Sequence, residues 1–279
     1  MIAAALLLTA ASALAAPAPA SAAGWTLAWS DEFDGPAGAP PDPAKWTAET
    51  GGDGWGNQEL EYYCKPGSDV GPCDARRPNA HLDGLGHLVL EAYPSSGAWT
   101  SARLKTAGLE QTRYGRVEAR LRLPAGAGLW PAFWLLGADI DKVGWPACGE
   151  IDVMENVPVA PLGAKRIKST VHGPGYSGIH GIGRVTPLPD DGRVDDGFHV
   201  YGVLWSPNLV QFYVDDPATP FFTVTPADLP AGAKWVYDKP FFLLLNLAVG
   251  GDWPGPPDAS TPNPARLLVD WVRVYKPAP

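Results

Sequence analysis

Gly149-Glu-Ile-Asp-Val-Met-Glu-Asn156 sets three carboxylates within six positions of an otherwise apolar stretch. Ile151, Val153 and Met154 between them suit a packed strand, and side chains along a strand alternate between its faces. Glu150 and Asp152 therefore share a face. The next position on that face is Met154, so in a regular strand Glu155 points the other way. One extra residue between Asp152 and Glu155, a β-bulge, brings Glu155 back to the face of the other two; bulges occur beside active sites because they re-aim side chains. Desolvating a carboxylate is costly, so three of them on a packed strand need a partner or a task. The reading is that all three acids look into one cleft.

The sequence on either side repeats the β pattern. Short β-rich segments recur at 87–93, 101–106, 114–123, 130–136, 167–172, 198–205, 210–214, 241–249 and 267–275. Turn signals fall between them, among them Asp83-Gly84, Pro124-Ala125-Gly126, Pro207-Asn208 and Asp215-Asp216-Pro217. No segment carries a long, capped 3.6-residue period. Many short strands with turn residues between them predict an all-β sandwich or jelly roll of antiparallel sheets. The Pro- and Asp-rich stretch 252–265 is read as a loop, because a strand follows it. Residues 24–279 therefore form one expected domain.

Composition narrows the function. Of 279 residues, 46% are hydrophobic and 18% charged, with a net charge of −9. A nucleic-acid binder needs a basic patch, which this balance argues against. The 12 Trp residues are heavy usage that a core and sugar-stacking surfaces would share. Residues 1–22 read as a secretory signal: Leu6-Leu7-Leu8 lies in an Ala-rich run and Ala20-Ser21-Ala22 fits the small-residue cleavage rule, although no Lys or Arg precedes the run. No later apolar run is long enough to span a bilayer. The expectation is an exported protein with no membrane association once the signal is cleaved. In an oxidising compartment Cys64 and Cys73 could close a short loop around residues 65–72, leaving Cys148 as a packed thiol.

Two carboxylates facing each other across a sugar linkage are the working parts of most glycosidases, and a retaining enzyme holds them roughly 5 Å apart. On this logic Glu150 is the nucleophile and Glu155 the general acid/base. Asp152, between them, holds a hydrogen bond to a glutamate and couples to the acid electrostatically. Three acids without a histidine also suit a Ca²⁺ site or a solvated acidic edge.

Glu150-Ile-Asp-Val-Met-Glu155 resembles the Glu-x-Asp-x-x-Glu signature of glycoside hydrolase family 16, in its laminarinase-like branch. Further blocks resemble that family in the same order: Trp55-Gly-Asn-Gln-Glu-Leu-Glu-Tyr62, Tyr114-Gly-Arg-Val-Glu-Ala-Arg120, Leu129-Trp-Pro-Ala-Phe-Trp-Leu-Leu136, Asn246-Leu-Ala-Val-Gly-Gly-Asp-Trp-Pro254 and Val269-Asp-Trp-Val-Arg-Val-Tyr275. The resemblance implies a β-jelly-roll sandwich with a concave substrate cleft. It also implies a monomeric, retaining endo-β-1,3-glucanase acting on laminarin-type glucan with no catalytic cofactor. A mixed-linkage β-1,3-1,4-glucanase and a non-catalytic β-glucan-binding protein are the alternatives. It places Glu150, Asp152 and Glu155 as the catalytic acids, and Asn57, Arg116, Trp130, Trp134, His172 and Trp253 as sugar contacts. It further implies a structural Ca²⁺ held by Glu32, the carbonyl of Gly86 and Asp270.

Overall fold

The computed structural model describes residues 24–279, so the signal reading at 1–22 lies outside the described residues. Seventeen strands run in chain order as β1 Trp25–Asp31, β2 Thr47–Glu49, β3 Glu61–Tyr63, β4 Ala80–Leu82, β5 Leu88–Ser95, β6 Ala98–Ser101, β7 Arg103–Lys105, β8 Gly115–Arg122, β9 Leu129–Gly137, β10 Glu150–Glu155, β11 Arg166–His172, β12 Ile182–Pro187, β13 His199–Ser206, β14 Leu209–Val214, β15 Phe222–Val224, β16 Phe241–Val249 and β17 Ala265–Pro277. Among the described residues the one α-helix is the single turn Ile140–Val143.

The strands form two sheets. Seven line up as β12-β11-β10-β9-β16-β7-β2, and a ten-stranded sheet runs β15-β14-β13-β8-β17-β5-β6-β3, with β1 on β17 and β4 on β5. The period of two in the sequence decides what lies between them. On β9, Phe133 and Leu135 enter the common core while Trp130, Ala132, Trp134 and Leu136 face the other way into a cleft. On β16, Leu243, Leu245 and Leu247 enter the core and Asn246 faces the cleft. The opposite sheet meets them with Val117, Ala119, Leu121, Val203, Phe212, Val272 and Val274. Each such side chain contributes roughly 1.5–3 kcal/mol by leaving water, so this shared core dominates the packing. The ends of the described residues are adjacent: β1 pairs with β17 from Trp25↔Pro277 to Asp31↔Val272, and the Ala278 amide donates to the Gly24 carbonyl at 2.9 Å.

The expected segment at 101–106 is divided. Ser101 ends β6 in the larger sheet and Arg103 begins β7 in the smaller one, with buried Ala102 at the crossover. Cys64 and Cys73 form the expected disulfide, S–S 2.03 Å. Cys148 is buried against Leu136, Phe242 and Leu244, and burial pushes its thiol up to about 11.

Two expectations fail for reasons of sheet membership and pairing. Arg116 lies on β8, which pairs with β13 and β17 in the ten-stranded sheet, away from the cleft. It is buried there, with Nε 3.5 Å from Glu118 Oε1 and the guanidinium 4.1 Å from the Tyr275 ring centroid, so it is a structural arginine. Glu32 and Asp270 do not present a cation site. Glu32 accepts hydrogen bonds from Arg273 Nε at 3.0 Å and from its terminal nitrogen at 2.7 Å, and Asp270 is paired with Arg120. With both carboxylates already matched by guanidinium groups, the donor set expected with the Gly86 carbonyl does not fit a Ca²⁺ ion, which needs free anionic oxygens.

Candidate active site

The bulge is present, and two independent registers define it. Against β9, Asp152 pairs with Trp134 but Glu155 pairs with Ala132; against β11, Asp152 pairs with Thr170 but Glu155 pairs with Lys168. Three steps on β10 thus match two on each neighbour. Val153 and Met154 are both buried in the core, and Glu150, Asp152 and Glu155 all line the cleft on the opposite face. The apolar pair provides the burial that holds the irregular segment in place.

Each of the two glutamates has its own donors. Trp145, from the loop before β10, donates from Nε1 to Glu150 Oε2 at 3.0 Å. Trp130 on β9 donates to Glu155 Oε1 at 3.1 Å, and Thr170 on β11 donates to Glu155 Oε2 at 3.4 Å. His172 Nε2 lies 3.1 Å from Asp152 Oδ2 and 3.7 Å from Glu150 Oε1, so it bridges the two acids nearer the start of β10. Its ring packs so closely on Gly181 that a Cβ there would lie 2.3 Å from it. Burial raises all three carboxyls above the usual carboxylate range. The charge of Asp152 adds to this at Glu150, and that of Glu155 adds to it at Asp152. At Glu155 the effect of burial is partly offset by Lys168, by His172 and by the hydrogen bonds from Trp130 and Thr170.

The cleft, about 820 Å³, extends well beyond the acids. Trp134 lies on its floor with Nε1 donating to Asn246 Oδ1 at 2.8 Å. Asn57 is at one end, its Nδ2 donating to Glu59 Oε1 at 2.8 Å, and the Asn57 carbonyl takes the Asp252 amide at 2.8 Å. That contact docks the turn after β16 onto the Asn57 loop. Gly251 allows it, because at φ +111° a Cβ there would sit 2.8 Å from the same carbonyl. Trp253, carried by this turn, meets Trp130 edge to face at 5.2 Å. Five of the six expected sugar contacts, Asn57, Trp130, Trp134, His172 and Trp253, therefore line one cleft with the acids.

Several cleft residues were not read from the sequence. Arg103, from β7, has its guanidinium 4.8 Å from the ring centroids of both Trp55 and Trp134. Trp145, Asn246, Lys168 and Ile179 also line the groove. The one available signal was the spacing of Trp145 from Glu150. Arg103, Asn246 and Lys168 depend on which strands become neighbours, and Ile179 lies in the 3-10 turn Gly178–His180.

An open groove with paired indoles and a three-carboxylate strand suits a polymer of sugar rings, and similarity to known proteins agrees. The profile of Glycosyl hydrolases family 16 matches residues 76–273. The chain belongs to that family. It is a glycoside hydrolase with two open sheets in the jelly-roll arrangement. It is 42% identical to the beta-glucanase of Rhodothermus marinus over 90% of this chain and 85% of that protein. The structure of the endo-beta-1,3-glucanase from Pyrococcus furiosus superposes with a TM-score of 0.78 at 45% identity, covering 91% of this chain and 95% of that one. SCLam, a non-specific endo-beta-1,3(4)-glucanase of family 16, superposes with a TM-score of 0.75 at 32% identity, over 93% and 94% of the two chains.

Proposed function

We propose that this glycoside hydrolase is a secreted, monomeric endo-β-1,3-glucanase that cleaves laminarin-type glucan with retention at the anomeric carbon. The observation that carries the proposal is the bulge in β10, which puts Glu150, Asp152 and Glu155 on one cleft face with separate donors on the two glutamates. The Glu150 carboxylate attacks the anomeric carbon while Glu155 gives its proton to the departing glycosidic oxygen. The C–O bond to the leaving sugar breaks and an ester to Glu150 forms. Glu155, now a carboxylate, takes a proton from water; the water oxygen attacks the anomeric carbon and Glu150 is released. Trp145 and His172 hold Glu150 in its reactive position, and Asp152 holds the opposite side of the same cluster.

Similarity to the beta-glucanase and the endo-beta-1,3-glucanase supports the β-1,3 substrate. The relative described as acting on β-1,3(4)-glucan supports a second reading, in which mixed-linkage glucan is also cut. A product profile on laminarin, lichenan and agarose separates these. Internal cleavage of laminarin, giving oligosaccharides whose first-formed anomer by NMR is β, is expected. Activity on lichenan without laminarin would move the enzyme to the second reading, and activity on agarose alone would overturn both.

A further inference from the structure

The catalytic acids account for the anionic side of the cleft, but one cation there has no partner of its own. Lys168 stands directly across the register from Glu155, on β11, and lines the same groove. Among the described residues its ammonium makes no ion pair; it lies 5.1 Å from the centroid of the Trp253 ring. Trp253 packs edge to face on Trp130, and Trp130 donates to Glu155. The ammonium is thus held over an aromatic face on the acid/base side of the cleft, on the residue that pairs with Glu155, and makes no ion pair with it.

We propose that Lys168 is a positioning residue for Glu155: it acts through that carboxyl, setting how readily Glu155 gives up and regains its proton, and it does not itself touch the reacting atoms. The inference rests on Glu155 being the acid/base of the reading above. The cleft around Glu155 carries Asp152 and Glu150 on β10, Lys168 and His172 on β11, the non-titrating Trp130 and Trp134 on β9, and Asp252 of the turn after β16. The acids among these oppose ionisation of Glu155. His172 lies against Asp152 and Glu150, which leaves Lys168 as the cation across the register from Glu155. Burial alone raises the Glu155 carboxyl, and Lys168 is the largest influence pulling it back. The two halves of the reaction need Glu155 protonated and then ionised, so a residue that trims this balance governs the pH range over which both proceed.

The sign follows from charge. Removing the ammonium makes the Glu155 carboxylate harder to form, so the alkaline limb of kcat/KM, where the acid loses its proton, moves to higher pH. The experiment compares pH profiles on laminarin for the wild type, Lys168→Met, Lys168→Arg and Glu155→Gln. The expected result is an alkaline limb about half a unit to one unit higher in Lys168→Met, a wild-type limb in Lys168→Arg, and an unchanged Tm in both. A Lys168→Met limb that coincides with the wild type overturns the inference, whether KM has risen, as for a plain sugar contact, or Tm has fallen, as for a packing role. Glu155→Gln separates the two levels. If it remains fully active on laminarin, the acid/base assignment falls; if it is inactive while the Lys168→Met limb stays in place, the role of Lys168 alone falls.

Discussion

Three carboxyls crowded into one cluster cannot all ionise without strong mutual repulsion; burial raises all three, and the donors and cations nearby offset part of that. Glu150 has Trp145 and the nearby His172 ring, which favour the carboxylate a nucleophile requires. Replacing Glu150 with Ala should lower turnover about a thousandfold or more. Azide, filling the vacated anion position, should restore it with a glycosyl azide as product. Unaltered hydrolysis in this variant would remove the nucleophile assignment. A different buried acid governs stability. Glu61 on β3 is fully buried, accepts the Val249 amide at 2.6 Å and adjoins Glu59, and burial raises its carboxyl from 4.5 to about 9. The folded state therefore holds a proton that the unfolded chain releases above about 4.5, so Glu61 costs stability increasingly as pH rises from there toward about 9. Glu61→Gln should raise Tm more at pH 8 than at pH 4.5, measured by thermal scans at both; an equal change at the two would contradict this.

At the scale of elements, β10 shows how a sequence irregularity becomes a structural one. The bulge places three residues opposite two on both neighbours. Deleting Val153 would give a regular strand in which Glu150, Asp152 and the glutamate of position 155 still alternate onto one face, opposite Leu136, Trp134 and Ala132. Such a variant should lose about 1–3 kcal/mol of stability, read by denaturant titration, because a buried side chain leaves the core. It should nonetheless keep more activity than Glu155→Gln; activity below that level would mean that the irregular backbone itself shapes the site. The same element was legible in advance because its apolar partners, Ile151, Val153 and Met154, cannot face solvent. Long apolar strands such as β9 and β16 were legible for the same reason. Short or edge strands were not: β2, β4 and β15 have three residues each, and β12 carries Gly183 and Pro187 on an exposed edge. The misplacement of Arg116 has another cause. Alternation tells which residues on a strand share a face, and it is silent on which of two sheets the strand joins. Arg103 was missed for that reason too, since its strand crosses between sheets within one residue of β6.

For the molecule as a whole, the two sheets divide the work. The seven-stranded sheet carries the acids and indoles, and the ten-stranded sheet carries arginine–carboxylate pairs such as Arg273–Glu32, Arg120–Asp270 and the buried Arg116–Glu118. Because Glu32 and Asp270 are neutralised within the protein, exhaustive chelation should leave Tm unchanged, and a fall of several degrees restored by added Ca²⁺ would contradict this. The pairing of β1 with β17 has a practical consequence for engineering. Gly24 and Ala278 meet on the sheet that does not bear the cleft, and the Pro207-Asn208 turn between β13 and β14 is exposed. In a chain starting at Gly24, a few glycines joining Gly24 to Ala278, with new ends opened at that turn, should yield a circular permutant that folds and keeps the parent's activity. An enzyme anchored to a surface through Gly24 or Ala278 would keep its groove turned outward, toward a polymer too large to diffuse around it.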